Sequence, residues 1–234
     1  MKAKDLIIPF LATILQYYDY ALFGLSASRI AKSYLPGNDL LTFFAILTFA
    51  VVMRPVGSVL FGFVGDKRGR SVILKISIFL ASVSTLIIGI IPASQNIYSA
   101  VLLILARMIF MMSLAGEIDS VRIYVAESIG KNREFLGNGI VTASSQIGVA
   151  VASFAVFLSD MVGGEFWRVS FIFGGVVGLI ISIFARNIPE SSEFLFNKAK
   201  DDVKPSFTIL IFGILISGFI GGIYHFYMIF FKSY

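Results

Sequence analysis

Asp19, Arg54, Arg107, Glu117, Asp119 and Arg122 are ionisable residues set inside long apolar stretches. In hydrocarbon each would cost about 2.5–3.5 kcal/mol on insertion scales, so each needs a partner or a task. Asp19 lies among Tyr17, Tyr18 and Tyr20. A carboxylate in such low-dielectric surroundings can bind and release a proton; the plainer reading is a structural carboxylate bonded to a neighbouring tyrosine or to Arg54. The tyrosines, Tyr18 among them, offer ring faces to a quaternary ammonium. Arg107 cannot lose its charge. It could meet an anionic group of a solute, or pair with Asp19 or Glu117. Glu117 follows ten residues later, about 80° back around a helix, so the two should meet different partners. Asp119 and Arg122 stand at i,i+3 and can neutralise each other. Arg54 precedes Pro55, where a helix must bend or open its hydrogen bonding, and is expected to pair within the bundle. Thr142, Ser145 and Gln146 could bond a polar ligand, Gln146 best of the three, though hydroxyls also join helices. His225, flanked by Tyr224, Phe226 and Tyr227, is of a type that could titrate near neutral pH; a structural role beside interfacial aromatics is the expected one.

This inventory suits binding and proton movement rather than covalent chemistry. Metal-ligand spacings, a phosphate-cradling loop and a nucleophile–base pair are all missing from the sequence. No enzyme and no cofactor are expected. With no cysteine, there is neither a disulfide framework nor a thiolate site.

The elements that position these residues are apolar helices. Hydrophobic residues make up 57% of the 234 and charged ones 14%, far from the soluble norm of about a quarter charged. Apolar runs exceed the roughly 18 residues that span a bilayer. Seven spans are expected, at about residues 7–30, 40–64, 71–91, 97–125, 137–158, 166–184 and 207–231. The fold class is therefore all-α, a polytopic membrane helix bundle. Residues 1–185 are expected to form a six-helix bundle, 186–206 a polar cytoplasmic linker, and 207–234 a seventh span. Gly139, Gly148 and their small neighbours in the fifth span, and Gly174, Gly175 and Gly178 in the sixth, let helices approach closely. The N-terminal charges precede an apolar run with no small-residue cleavage site, so the first helix is expected to be retained.

Net charge is +5, but the cations sit in the connections, which speaks for orientation in a bilayer and against nucleic acid. With the N-terminus inside, the inner side receives Lys2, Lys4, Lys67, Arg68, Arg70, Lys75, Lys131, Arg133, Arg186, Lys198, Lys200 and Lys204. The outer side receives Arg29, Lys32, Arg168 and Lys232. That asymmetry predicts a cytoplasmic N-terminus and an external C-terminus in a plasma membrane (the inner membrane of a Gram-negative cell).

One connection stands out. Gly62 to Arg70 reads GFVGDKRGR, with Asp66, Lys67, Arg68 and Arg70 close together and glycines at 62, 65 and 69. It is expected to be a water-exposed hairpin that turns at its glycines. Its spacing, G-x-x-x-D-[RK]-x-G-R, resembles the loop between helices 2 and 3 of the major facilitator superfamily. The longer run from Phe49 to Arg70 resembles the metabolite:H+ symporter branch, which includes proline/betaine transporters and the alpha-ketoglutarate permease. So do YDYALFG (Tyr18 to Gly24), Arg107 with AGE at 115–117 and YVAE at 124–127, and EFWRVSFIFGG with Arg186 and PES at 189–191. The resemblance covers about residues 18–194. Asp119 and Arg122 depart from it, since the family usually carries small residues there.

The resemblance implies an N-terminal six-helix half followed by one helix of a second half. It further implies alternating-access transport of a small polar or zwitterionic solute, an osmolyte such as proline or betaine or an organic acid, with protons. The helix-4 residues Arg107 and Glu117 would matter for transport, and Asp19 or Glu117 would carry the proton. Gly62, Asp66, Lys67, Gly69 and Arg70 would form a gating loop whose aspartate engages a helix end of the second half. The alternative expectation is a truncated or split-gene product that inserts but does not transport alone, its C-terminal half separately encoded.

Overall fold

The computed structural model describes residues 4–34, 48, 50–129, 133–191 and 194, together with 211, 212, 215, 216 and 219. Residues 1–196 form one compact unit and 197–234 a second. The expected loop at 36–39, His225 and most of the linker and seventh span lie outside the described residues.

The first unit is helical, without strands among the described residues. Its elements are α1 (Lys4–Leu25), α2 (Ala27–Tyr34), α3 (Met53–Arg68), α4 (Arg70–Ile90), α5 (Ile97–Ile129), α6 (Glu134–Val162) and α7 (Trp167–Ala185). Five of these, α1, α4, α5, α6 and α7, are long and apolar enough to cross a membrane. Several hydroxyls within them pair with their own backbone. Thr13, Ser82, Ser84, Thr85 and Ser113 each donate to the carbonyl four residues back, at 2.6–3.0 Å, which hides a polar group against its own helix.

The helices meet in seams. The most extensive are α4 with α7, α1 with α6, α4 with α5, and α3 with α5. Close approach at glycine sets three of them. A Cβ on Gly175 would lie 2.7 Å from the Leu86 Cα, and one on Gly57 2.5 Å from the Met112 carbonyl oxygen. At Gly148 it would run into the Ile14 carbonyl of α1. Without a hydrophobic driving force between helices in lipid, such backbone contact and the dispersion it allows is what holds a seam. A chain of edge-to-face rings crosses the bundle: Phe23 on Phe171 at 6.3 Å, Phe171 on Trp167 at 5.8 Å, and Trp167 on Tyr34 at 6.3 Å.

Three expected boundaries change. The first span is not continuous to residue 30: a turn at Ser26 divides α1 from α2, although the Ser26 N–H still reaches the Leu22 carbonyl at 2.9 Å. The second span is interrupted at Val52, and α3 starts at Met53 with Pro55 in its first turn, where a missing N–H costs little. The hairpin expected over 62–70 is a single residue. Gly62, Asp66 and Lys67 are helical to the end of α3, Arg70 opens α4, and only Gly69 turns, at φ 106°. Gly65 serves contact instead: a Cβ there would sit 2.8 Å from an Arg70 guanidinium nitrogen.

Candidate functional site

Inside the unit, α1 and α5 face each other with polar side chains at their middles. Asp19 and Arg107 pair at 2.8 Å, and each side chain is only 2% exposed. The guanidinium is also covered by rings, with its carbon 4.1 Å from the centre of Phe23, 4.5 Å from Phe110 and 5.9 Å from Tyr20. A buried cation needs both neutralisation and such contacts to offset lost hydration. One turn earlier on α1, Gln16 donates its amide hydrogen to Glu117, also on α5. Arg107 and Glu117 thus meet different partners, in keeping with their rotation around the helix.

These residues come together from far apart in sequence. Gln16 and Glu117 are buried, and they line two spaces at once. One is a crevice between α1, α5 and α6 that also touches Tyr17, Arg122 and Ser145. The other is a small space between α1, α4 and α5 that touches Ser82, Thr85 and Phe110. Gln16 was not singled out in the sequence. The available signal was a neutral amide three residues before Asp19 in an apolar span, hence on the same helical face.

The other candidates are placed differently. Tyr18 lies in the core, where its hydroxyl donates to the Ser170 carbonyl of α7 at 2.9 Å. Tyr17 and Tyr20 are half-buried, and Gln146 is exposed on α6. Thr142 and Ser145 bond carbonyls of their own helix. Asp119 and Arg122 do not form the expected ion pair, and both are exposed. Arg54 stacks over Tyr20 at 5.9 Å rather than pairing with a carboxylate.

At the end of the bundle carrying Gly69, a second network forms. Asp66 pairs with Arg70 at 2.9 Å, and the Lys67 ammonium sits 4.0 Å over the Phe63 ring. Glu190, past the end of α7, accepts hydrogen bonds from the backbone N–H groups of Arg70 and Ser71 and from the Ser71 hydroxyl, at 2.8–3.2 Å. It caps the positive N-terminus of α4. Gly69 is required there twice over, by its positive φ and because a Cβ would strike the Glu190 carboxylate. At the other end of α4, Arg168 donates to the carbonyls of Gly89, Ile90 and Ile91, the complementary charge for a helix C-terminus. The same helix is thus clamped by an acid and a base from opposite ends of α7. Glu190→Ala should lower stability by about 2 kcal/mol, read as a lower melting temperature in detergent. An unchanged melt would show that water replaces the carboxylate without loss.

Comparison with known proteins adds three findings. Residues 6–210 match the model of the family described as "Sugar (and other) transporter". The chain is 34% identical over 208 residues to a putative proline/betaine transporter of Staphylococcus aureus, covering 82% of this chain and 44% of that one. It is 34% identical over 186 residues to the proline/betaine transporter of Salmonella typhimurium, covering 73% of this chain and 37% of that one. The chain therefore spans under half the length of these relatives. Among solved structures it resembles the xylose transporter XylE from E. coli in a partially occluded inward-open conformation, with a TM-score of 0.74 at 16% identity, over 83% of this chain and 51% of that one. At that identity the likeness speaks for the fold.

Proposed function

Because the chain belongs to the sugar (and other) transporter family of the major facilitator superfamily, a family of multi-pass membrane transporters and not of enzymes, we propose that it moves a small zwitterionic or acidic metabolite across a plasma membrane by alternating access. The observation that carries this reading is the buried Asp19–Arg107 pair between α1 and α5. A fixed guanidinium in a dry bundle is a receptor for a carboxylate, and its partner carboxylate is the group that a proton can neutralise when the solute displaces it. The relatives named for proline and betaine support a zwitterion. Its carboxylate would meet Arg107 and its ammonium the half-buried rings of Tyr17 and Tyr20. Protons would enter as the coupling ion through Asp19 or Glu117. The N-terminus would be cytoplasmic and the C-terminus external, following the distribution of loop cations.

Alternating access places the solute between two helix bundles that rock about it. The wall opposite α1 and α5 would come from further helices, and a separately encoded C-terminal half is one source for them. Uptake of labelled proline, betaine and 2-oxoglutarate by vesicles containing this chain alone tests the reading. Accumulation of at least one solute above empty vesicles, lost when a protonophore collapses the pH gradient, is the expected result. Uptake equal to empty vesicles for all three would overturn transport by this chain alone. Accumulation indifferent to the protonophore would overturn proton coupling.

A further inference from the structure

The buried polar residues of α1 and α5 contain one acid too many for their cations. Asp19 has Arg107. Glu117, 1% exposed, forms no ion pair among the described residues. The charged groups on its own and neighbouring helices are otherwise engaged or on the exposed surface of the unit. Arg107 is held by Asp19, Arg54 stacks on Tyr20, and Asp119 and Arg122 are exposed. Tyr17 from α1, Ser145 from α6, and Ser82 and Thr85 from α4 line the spaces beside it; Arg122, also on α5, is the one cation in either lining, and it makes no ion pair with Glu117. An ionised carboxylate buried this way, with one amide hydrogen for company, would forfeit most of its hydration with little in return.

Two orphan atoms point to the resolution. The Gln16 amide donates through Nε2 to Glu117 Oε2. Its own oxygen, Oε1, is buried with no donor, and Glu117 Oε1 is buried with no partner. Unpaired buried polar atoms are rare and costly. A single proton on Glu117 Oε1 answers both, because a carboxylic acid and a primary amide can join face to face by two hydrogen bonds. The amide N–H donates to one carboxyl oxygen, and the acid O–H donates to the amide oxygen.

We propose that Glu117 is held as a neutral carboxylic acid in a cyclic acid–amide pair with Gln16, and that this pair is the proton store of the bundle. Gln16 is a positioning residue: it presents an acceptor that only the protonated acid can satisfy. The pair lines both spaces, and the second of them also touches Phe110, whose ring lies on the Arg107 guanidinium. Release is a simple transfer. The Glu117 O–H bond breaks, water in the crevice takes the proton, and the carboxylate keeps its bond from Nε2 while Gln16 Oε1 loses its donor. The purpose given to the proton rests on the transport reading; the acid–amide pair does not.

Infrared spectroscopy of the chain in lipid nanodiscs tests the pair without any uptake, so the two proposals fail separately. At neutral pH the spectrum should contain a protonated-carboxyl C=O stretching band that shifts in D2O and is lost in Glu117→Gln. That substitution leaves an amide in place of the acid and preserves shape. In Gln16→Leu the band should shift in frequency, as its hydrogen-bond partner is gone. A wild-type spectrum with no such band, or one whose band persists in Glu117→Gln, overturns the neutral acid. A band lost in Glu117→Gln but unmoved by Gln16→Leu overturns the pairing. Should Gln16→Leu fail to fold, the comparison of wild type with Glu117→Gln alone decides whether the acid is neutral.

Discussion

Asp19→Asn should cost about 3 kcal/mol of stability, at the low end of the range for removing one partner of a buried pair. Arg107→Met should cost less, and the double variant should recover most of the Asp19→Asn loss. The asymmetry follows from what each survivor can do. A guanidinium left without Asp19 stays charged in a bundle where it is 1% exposed. A carboxylate left without Arg107 can shed its charge by taking a proton. The rings of Phe23 and Phe110 do not rescue the first case, because they lie on the cation in both forms and cancel in the difference. The amide oxygen introduced by Asp19→Asn can still accept a hydrogen bond from Arg107, which is why the low end applies. Methionine is chosen to fill most of the arginine volume, so that cavity formation does not masquerade as a charge effect. Helix loss during titration with a denaturing detergent, followed by circular dichroism, reads all three. If Asp19→Asn unfolds with wild type, or the double variant is no better than that single one, the pair is not what neutralises Arg107.

The same site shows where sequence reasoning reaches and where it stops. Asp19, Arg107 and Glu117 announce themselves because a charge in an apolar span has no cheap explanation. Which acid takes the arginine does not, since Asp19 and Arg107 stand 88 residues apart and Gln16 and Glu117 stand 101 apart. Gln16 escapes notice for a different reason: a neutral amide in a span raises no alarm, yet here it is the only hydrogen-bond partner of Glu117 among the described residues. Spacing rules also misplace particular residues. The i,i+3 relation of Asp119 and Arg122 makes a pair feasible, but the two side chains do not form one. The glycines at 62 and 65 look like turn residues beside Gly69, yet both are helical. Local composition cannot tell a glycine that turns the chain from one that admits a neighbour. Glu190 and Arg168 were visible as parts of motifs, while their work as caps on α4 appears only once α7 is laid against it.

Gly148→Ala and Gly139→Ala, the same substitution in the same helix, should move stability in opposite directions. They are nine residues apart, about 180° around α6, and so lie on opposite faces. A Cβ on Gly139 meets nothing within 4 Å, and the residue is exposed. There the only change is the backbone freedom that glycine gives up in a helix, and alanine should stabilise by about 0.5–1 kcal/mol. At Gly148 the added carbon runs into the Ile14 carbonyl oxygen and lies 3.0 Å from the Tyr18 backbone nitrogen. Backbone cannot swing aside as a side chain can, so α1 and α6 must separate, at about 2–3 kcal/mol. The displaced helix is the one that carries Gln16 and Asp19 toward α5. The loss should therefore reach the site: in a Gly148→Ala background, the coupling energy between positions 19 and 107 from a double-mutant cycle should shrink. Thermal melts of the two glycine variants give the signs, and the cycle gives the link. Equal melts for both variants would mean that the seam gives way freely. A destabilised Gly148→Ala protein with undiminished coupling would mean that α1 shifts without carrying Asp19 away from Arg107, leaving the depth of α1 to be set by the α4 and α7 side of the bundle.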